Sequence, residues 1–310
     1  MVVSLSTEKT GKYLMAIHKW HKRRAHILQD VQELYGKLLH TCSVIPQGRA
    51  YLMSLESMLS ICGAKPFVPH RPEKHVAEDL DWWSSLLQSG GASRPIYPLP
   101  TLKNPHAYSD TSSGIGIGIV IGDYWHAWRL IPGWQTSNGK RDIGWVEAIG
   151  FELLIYSLAT LPSFSDNLLI HGDNTGVVEG WWKSKHWNRA VNHVFHHIHE
   201  FILNLPDCFE IHTTYITSDC NPADGPSRGI YGPQHLLLPP VGIPESIREF
   251  IIDATEPLSS TELRHLHNRV YTPPAAKFIN RLLTIKQANG RTKAKRAREE
   301  ELISRALYES

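Results

Sequence analysis

The spacing of apolar positions divides the chain into three zones. Over residues 6–87 apolar side chains return every three or four positions, as at Leu28, Val31, Leu34, Tyr35, Leu38 and Leu39, which is the period of helices with one buried face. Pro46 and Gly48 punctuate this zone, and further helices are predicted over 50–61 and over 75–87, the latter carrying Trp82 and Trp83. Residues 90–105 are rich in Gly, Ser and Pro and read as a linker. From Ala107 the period changes. Strands are predicted over 107–110, over 114–121, where glycine alternates with isoleucine and admits close backbone approach, and over 124–130. A strong helix follows over 142–161, with Ile149, Leu153 and Tyr156 on one stripe and Pro162 ending it. Then come a short buried strand at 168–171, helices over 175–185 and 190–205, a strand at 210–216 and a turn-rich run at 218–229. The last zone opens with Pro239, Pro240 and Pro244 and closes with a polar helical stretch over 275–308.

The order β-β-β-α-β-α-α-β predicts an α/β fold, a mixed five-stranded sheet flanked by helices. It carries an N-terminal helical region (1–97), the sheet domain (98–229) and a C-terminal extension (230–310).

Composition narrows the class. With 42% hydrophobic and 20% charged residues, the chain is an ordinary globular protein rather than a disordered or fibrous one. Lys and Arg total 32 against 30 Asp and Glu, so the net charge of +2 names no partner, and any nucleic-acid surface must be local. The cysteines Cys42, Cys62, Cys208 and Cys220 form no CxxC pair, which argues for reduced thiols. No apolar run approaches the roughly 20 residues that span a bilayer, and Glu8, Lys9 and Lys12 interrupt the amino terminus before any leader-like stretch. An intracellular protein without a membrane partner, nuclear or cytoplasmic, is expected.

Four acids fall where this order of elements brings chain ends together. Asp110 ends the first strand, Glu147 lies in the first long helix, Asp173 follows the fourth strand and Asp224 follows the last. Active sites of open α/β sheets gather beyond strand ends, so such acids are natural metal holders. Hard magnesium ions take carboxylate oxygen, and two of them ~3.5–4 Å apart can stabilise the attacking and leaving oxygens of a phosphodiester cleavage. Singly, each acid reads as well as a turn or helix cap.

The local wording is narrower than the pattern. Tyr108-Ser109-Asp110-Thr111-Ser112, Gly172-Asp173-Asn174-Thr175 and Asn221-Pro222-Ala223-Asp224-Gly225-Pro226-Ser227-Arg228 resemble the ribonuclease H domain of retroelement reverse transcriptases, in particular the DIRS-like and Ngaro-like fungal type. Upstream, the runs 34–40, 44–50 and 78–83 resemble the thumb and connection that precede that domain. The resemblance covers residues 6–229 and not 230–310. It implies a ribonuclease H-like fold and a Mg²⁺ (or Mn²⁺) dependent endonuclease that cleaves RNA in RNA–DNA hybrids. Asp110, Glu147, Asp173 and Asp224 would be its metal-binding, catalytic quartet, with Ser112 and Asn174 supporting the strand backbone. The alternative is a catalytically inactive nucleic-acid-binding remnant.

Two departures are visible. The Tyr-x-Asp-Asp pair of a polymerase occurs nowhere in the chain, which implies a fragment or remnant, with a separate polymerase subunit as a partner. The loop 217–223 lacks the histidine that many type 1 enzymes carry, and His212 lies earlier, on the strand.

Weaker signals remain. The run 180–189 mixes Trp181, Trp182 and Trp187 with Lys183 and Lys185, a composition suited to stacking on nucleic acid and to phosphate contact, or simply to core anchoring. Arg228 is a further phosphate candidate. His193 and His197 share a helix face four residues apart without a third ligand, so metal binding there is disfavoured. The basic run 291–298 is followed at once by acids 299–301 and reads as a solvated helix.

Overall fold

The structure is a computed structural model that describes residues 2–96, 101–136, 140–161, 167–205 and 210–256. The polar stretch 275–308, with its basic run, and Cys208 lie outside the described residues.

Val2–Ser4 (β1) pairs antiparallel with Ser93–Pro95 (β2), enclosing four helices: Thr7–His21 (α1), Leu28–Thr41 (α2), Met53–Gly63 (α3) and Lys74–Gln88 (α4). A 3₁₀ segment, Pro46–Leu52, precedes α3. Of the apolar stripe anticipated on α2, Val31, Leu34 and Leu38 are buried with Leu55, Leu80 and Trp83 in one core, Leu28 and Tyr35 pack against it, and Leu39 is exposed. Part of the expected linker is therefore strand β2, which closes the helical region by returning to β1.

The second core belongs to a sheet of Lys103–Thr111 (β3), Gly116–Ile121 (β4), Tyr124–Leu130 (β5), Asn167–Gly172 (β6), Glu210–Tyr215 (β7) and Ile251–Asp253 (β8). Its order is β7-β6-β3-β4-β5-β8. The pairs β3–β4, β4–β5 and β5–β8 are antiparallel, whereas β3–β6 and β6–β7 are parallel. Ile143–Ala159 (α5), Thr175–Lys183 (α6) and Arg189–Leu203 (α7) flank it, and the short Asp224–Ser227 turn (α8) follows β7.

The five-stranded expectation is thus exceeded by one strand. β8 comes from the presumed extension, and Leu238, Ile247 and Ile251 enter the sheet's core, so the boundary at 229 does not end this body. His126 clamps the segment from below: its Nδ1 donates to the Leu238 carbonyl (3.2 Å) and its Nε2 lies 2.8 Å from Asp253 Oδ2. Residues Met1–Glu256 form one compact unit, joined where Asn192 Nδ2 and His196 Nε2 of α7 both reach the Ala50 carbonyl (2.6 and 2.9 Å).

Three capped helix starts fix the site's geometry. Asp142 accepts from the Trp145 amide at α5, Asn174 from Val177 at α6 and Asn188 from Ala190 at α7. Between them, α5 is apolar on nearly every face because it is covered by the sheet on one side and α7 on the other.

The Gly–Ile alternation of β4 has a steric cause. Ile117 and Ile119 point into the core, while a Cβ at Gly118 would lie 2.6 Å from the Ala223 carbonyl oxygen and closer still to the Ser227 amide. Only glycine lets α8 lie on the sheet. Gly118→Ala is expected to cost about 1–3 kcal/mol, read as a fall in denaturation midpoint at unchanged slope. An unchanged midpoint would contradict this packing.

Candidate metal centre

Asp110 is the penultimate residue of β3, Asp173 follows the last residue of β6, and Glu147 sits in the second turn of α5. Because β3 and β6 are adjacent and parallel, both aspartates emerge at the same sheet end, over which the N-terminal half of α5 passes. Their carboxylates and that of Glu147 each place an oxygen within 4.8 Å of the others. Asp110 is 5% exposed, the Glu147 carboxyl is enclosed and Asp173 is half-buried.

Burial and mutual repulsion disfavour charge here. Burial foremost pushes the Glu147 carboxyl up to about 8; the Thr111 hydroxyl opposes this, and Asp173 and Asp110 add to it. Asp110 is raised too, first by burial and then by Asp173 and Asp224, against a hydrogen bond from Ser227. An arrangement that penalises its own ionisation is suited to a cation, which reverses each of these penalties.

The donor set fits such an ion. All ligand atoms are carboxylate oxygens, the choice of hard cations, and two oxygens on one small divalent ion lie at most about 4.2 Å apart. Asp173 Oδ2 accepts from Ser218 (2.8 Å), but its Oδ1 is buried without any hydrogen-bond partner. That oxygen points to an ion-sized need. Among the described residues no other cluster of His, Cys, Asp or Glu is suited to a metal.

The fourth expected acid stands apart. Asp224 lies outside the group of three, and its Oδ1 accepts from Arg228 Nε at 2.7 Å, although its charge still reaches Asp110. The same bond occupies Arg228. Lys183 pairs with Glu179 (2.6 Å) and Lys185 with Glu56 of α3 (2.7 Å), so both expected phosphate contacts have internal carboxylates. Asn174 is the α6 cap, and Ser112 lies in the β3–β4 turn, where its amide donates to the Gly116 carbonyl. The tryptophans are structural at their indole nitrogens: Trp181 and Trp182 donate to the Ile211 and Thr213 carbonyls of edge strand β7 (both 2.9 Å). Trp182 and Trp187 nonetheless remain 62% and 80% exposed. His193 sits against His75 and His196, and His197 against Glu152, with no shared ion site.

Three supporting residues escaped the sequence reading. Ser227, fully buried, donates to Asp110 Oδ2; Ser218 donates to Asp173; and Asn221 Nδ2 holds the Ser109 carbonyl at 2.9 Å, tying the chain after β7 to β3. Asn221 and Ser227 lie in the very motif that carries Asp224, but nothing local distinguishes them from turn formers.

No family model, curated protein or solved structure matches this chain. No helix among the described residues is long and apolar enough to cross a membrane. The functional argument therefore rests on the carboxylate geometry together with the sequence motifs that surround it.

Glu147 makes that geometry visible in stability. Its ordinary value is 4.5 and its folded value is about 8, so between these the folded state holds a proton that the unfolded state has released. Its contribution is complete below pH 4.5 and is lost as pH rises through 8. Metal-free protein, unfolded by urea in chelator, is expected to lose stability over that window, and Glu147→Gln to flatten the loss. An unchanged slope in the variant would contradict the enclosure of this carboxyl.

Proposed function

We propose that this chain is a magnesium-dependent endonuclease of the ribonuclease H type that cleaves RNA in RNA–DNA hybrids, and that it derives from a retroelement reverse transcriptase. The observation that carries the reading is the convergence of Asp110, Glu147 and Asp173 within 4.8 Å at one end of a six-stranded sheet with three antiparallel pairings beside two parallel ones. The sequence motifs around Asp110, Asp173 and Asp224 give the reading its substrate.

Asp110, Glu147 and Asp173 would hold the ion. Bound there, it would supply charge neutralisation for the phosphodiester and acidity for the attacking water. The remaining roles belong to the chain. Ser227 and Ser218 orient the Asp110 and Asp173 carboxylates, leaving one face of each for ligation. Asn221 holds β3 and the chain after β7 at a fixed separation, which keeps Asp224 beside the cluster. The Arg228–Asp224 pair is exposed, and exposed pairs contribute only about 0–1 kcal/mol. A substrate phosphate would therefore compete for Arg228 at little cost, and the Asp224 carboxylate, freed of that partner, would be available to hold a second ion. Recognition of the hybrid by backbone and groove shape, without base readout, agrees with a site that sits at the surface end of a sheet.

The test is cleavage of an end-labelled RNA–DNA hybrid by the full chain in Mg²⁺. Wild type is expected to cut the RNA strand and to leave single-stranded RNA intact. Asp173→Asn is expected to lose more than the roughly 10–100-fold typical of an outer-shell change. Hybrid that is bound but uncut by wild type would replace the enzyme with a binding module.

A further inference from the structure

Helix α1 and the turn after it are the most one-sidedly charged stretch among the described residues. Residues 7–24 carry six cations, Lys9, Lys12, Lys19, Lys22, Arg23 and Arg24, against the single acid Glu8, a local net of +5 where the whole chain has +2. All six cations are exposed. Arg23 is committed to Asp30 (2.8 Å), and Lys9 meets His40. Lys12, Lys19, Lys22 and Arg24 have no carboxylate within ion-pair distance among the described residues. This contrasts with Lys183, Lys185, Arg189 and Arg228 around the sheet, each of which has one.

The helix has a structural reason for some of this charge. Cations in a last turn offset the partial negative charge of the helix end. That accounts for Lys19 and for Lys22 at the cap, but Lys12 stands in the second turn and Arg24 beyond the helix. Lys12 and Lys19 share one face about 10 Å apart along the axis. The acids nearby are few: Glu8 in the first turn, Glu33 and Asp30 from α2, and Asp81 of α4 beside His21 (3.9 Å).

We propose that α1 is a second polyanion-binding surface, through which the helical region grips the phosphate backbone of a nucleic-acid duplex. This rests on the reading of the chain as a nuclease for its ligand, but not on any residue of the metal centre. Charge complementarity selects the occupant. An anionic membrane would also attract the cations, but stable membrane docking needs an apolar face to insert. Here that face is spent: Tyr13, Ile17 and Trp20 are buried in the helical core, and Met15 is the one large apolar side chain of α1 that is strongly exposed. Exposed cations along a packed helix and the turn that follows it suit backbone contact, since each phosphate neutralised releases a counterion.

The experiment uses the full chain with Lys12, Lys19, Lys22 and Arg24 all changed to Gln, which keeps helix propensity and much of each stem. Affinity for a fluorescent hybrid is measured across a salt series in chelator, so that cleavage does not enter. The slope of log K against log salt is expected to fall by about 3, with weaker binding at every salt concentration and a cooperative thermal melt lowered only slightly, as the loss of Lys19 and Lys22 from the helix end requires. In Mg²⁺, the turnover of any cleavage at saturating hybrid is expected to stay at the wild-type value while the half-saturating concentration rises. Equal affinity and slope in wild type and variant would overturn the proposal and leave the nuclease reading standing. So would a variant that loses binding to phosphatidylserine vesicles while keeping its hybrid affinity.

Discussion

Three carboxylates brought within 4.8 Å of one another in a poorly hydrated corner repel, and the rest of the architecture is organised around holding them there. Asp110 is fixed in β3, Glu147 in α5 and Asp173 in the bend directly after β6, so the three backbones are held by separate parts of the fold. β3 and β6 are adjacent and parallel, α5 lies across their ends, and a core that is apolar on both sides of α5 leaves that helix no room to shift. Packing energy spread over this core outweighs repulsion concentrated at its rim. The folded state answers with partial measures only. Burial and mutual charge raise Asp110 and Glu147, and one serine hydroxyl is aimed at each aspartate.

The chain after β7 is where scaffold and site become one object. Gly118 removes the side chain that would otherwise keep α8 off the sheet, and this lets Ser227 reach Asp110 and Asn221 reach the Ser109 carbonyl. A glycine in a strand interior weakens the strand by itself. Here the loss is offset by a short segment that ties β3, β4 and the fourth acid together. The clamp of His126 on Leu238 and Asp253 extends the same logic to β8, so residues 229–256 are tied to the sheet.

What was legible in the sequence was periodic. The strands β4 and β5 and the buried helix α5 follow from local rules, and the three clustered acids follow from where those elements end, whereas Asn174, read as a contact to the nucleic-acid strand, is the cap of α6. What escaped depends on distant partners. β8 is three residues long, and its strand character comes from pairing with β5 some 120 residues earlier in the chain. The indoles of Trp181 and Trp182 look like a nucleic-acid surface until β7 supplies the carbonyls they bind. Lys185 looks free until α3 brings Glu56 to it, and Asp224 looks like a ligand until Arg228 turns back upon it. Charge along a chain shows which groups exist; only the fold shows which are already paired.

The central claim is that the cluster is a liability until a divalent cation enters it. The most direct measurement is thermal unfolding of the chelator-treated protein and of Asp110→Asn, each alone, with Mg²⁺, and with KCl at matched ionic strength. The expected result has two parts. Asp110→Asn melts higher than wild type without metal, because a buried carboxyl whose charge is disfavoured by burial and by Asp173 is gone. Mg²⁺ raises wild type by several degrees, about 2–4 °C for each kcal/mol of binding, and leaves the variant unmoved. If the variant melts lower without metal, or if Mg²⁺ acts on wild type no differently from KCl, the carboxylates are held together for some other reason and the account fails.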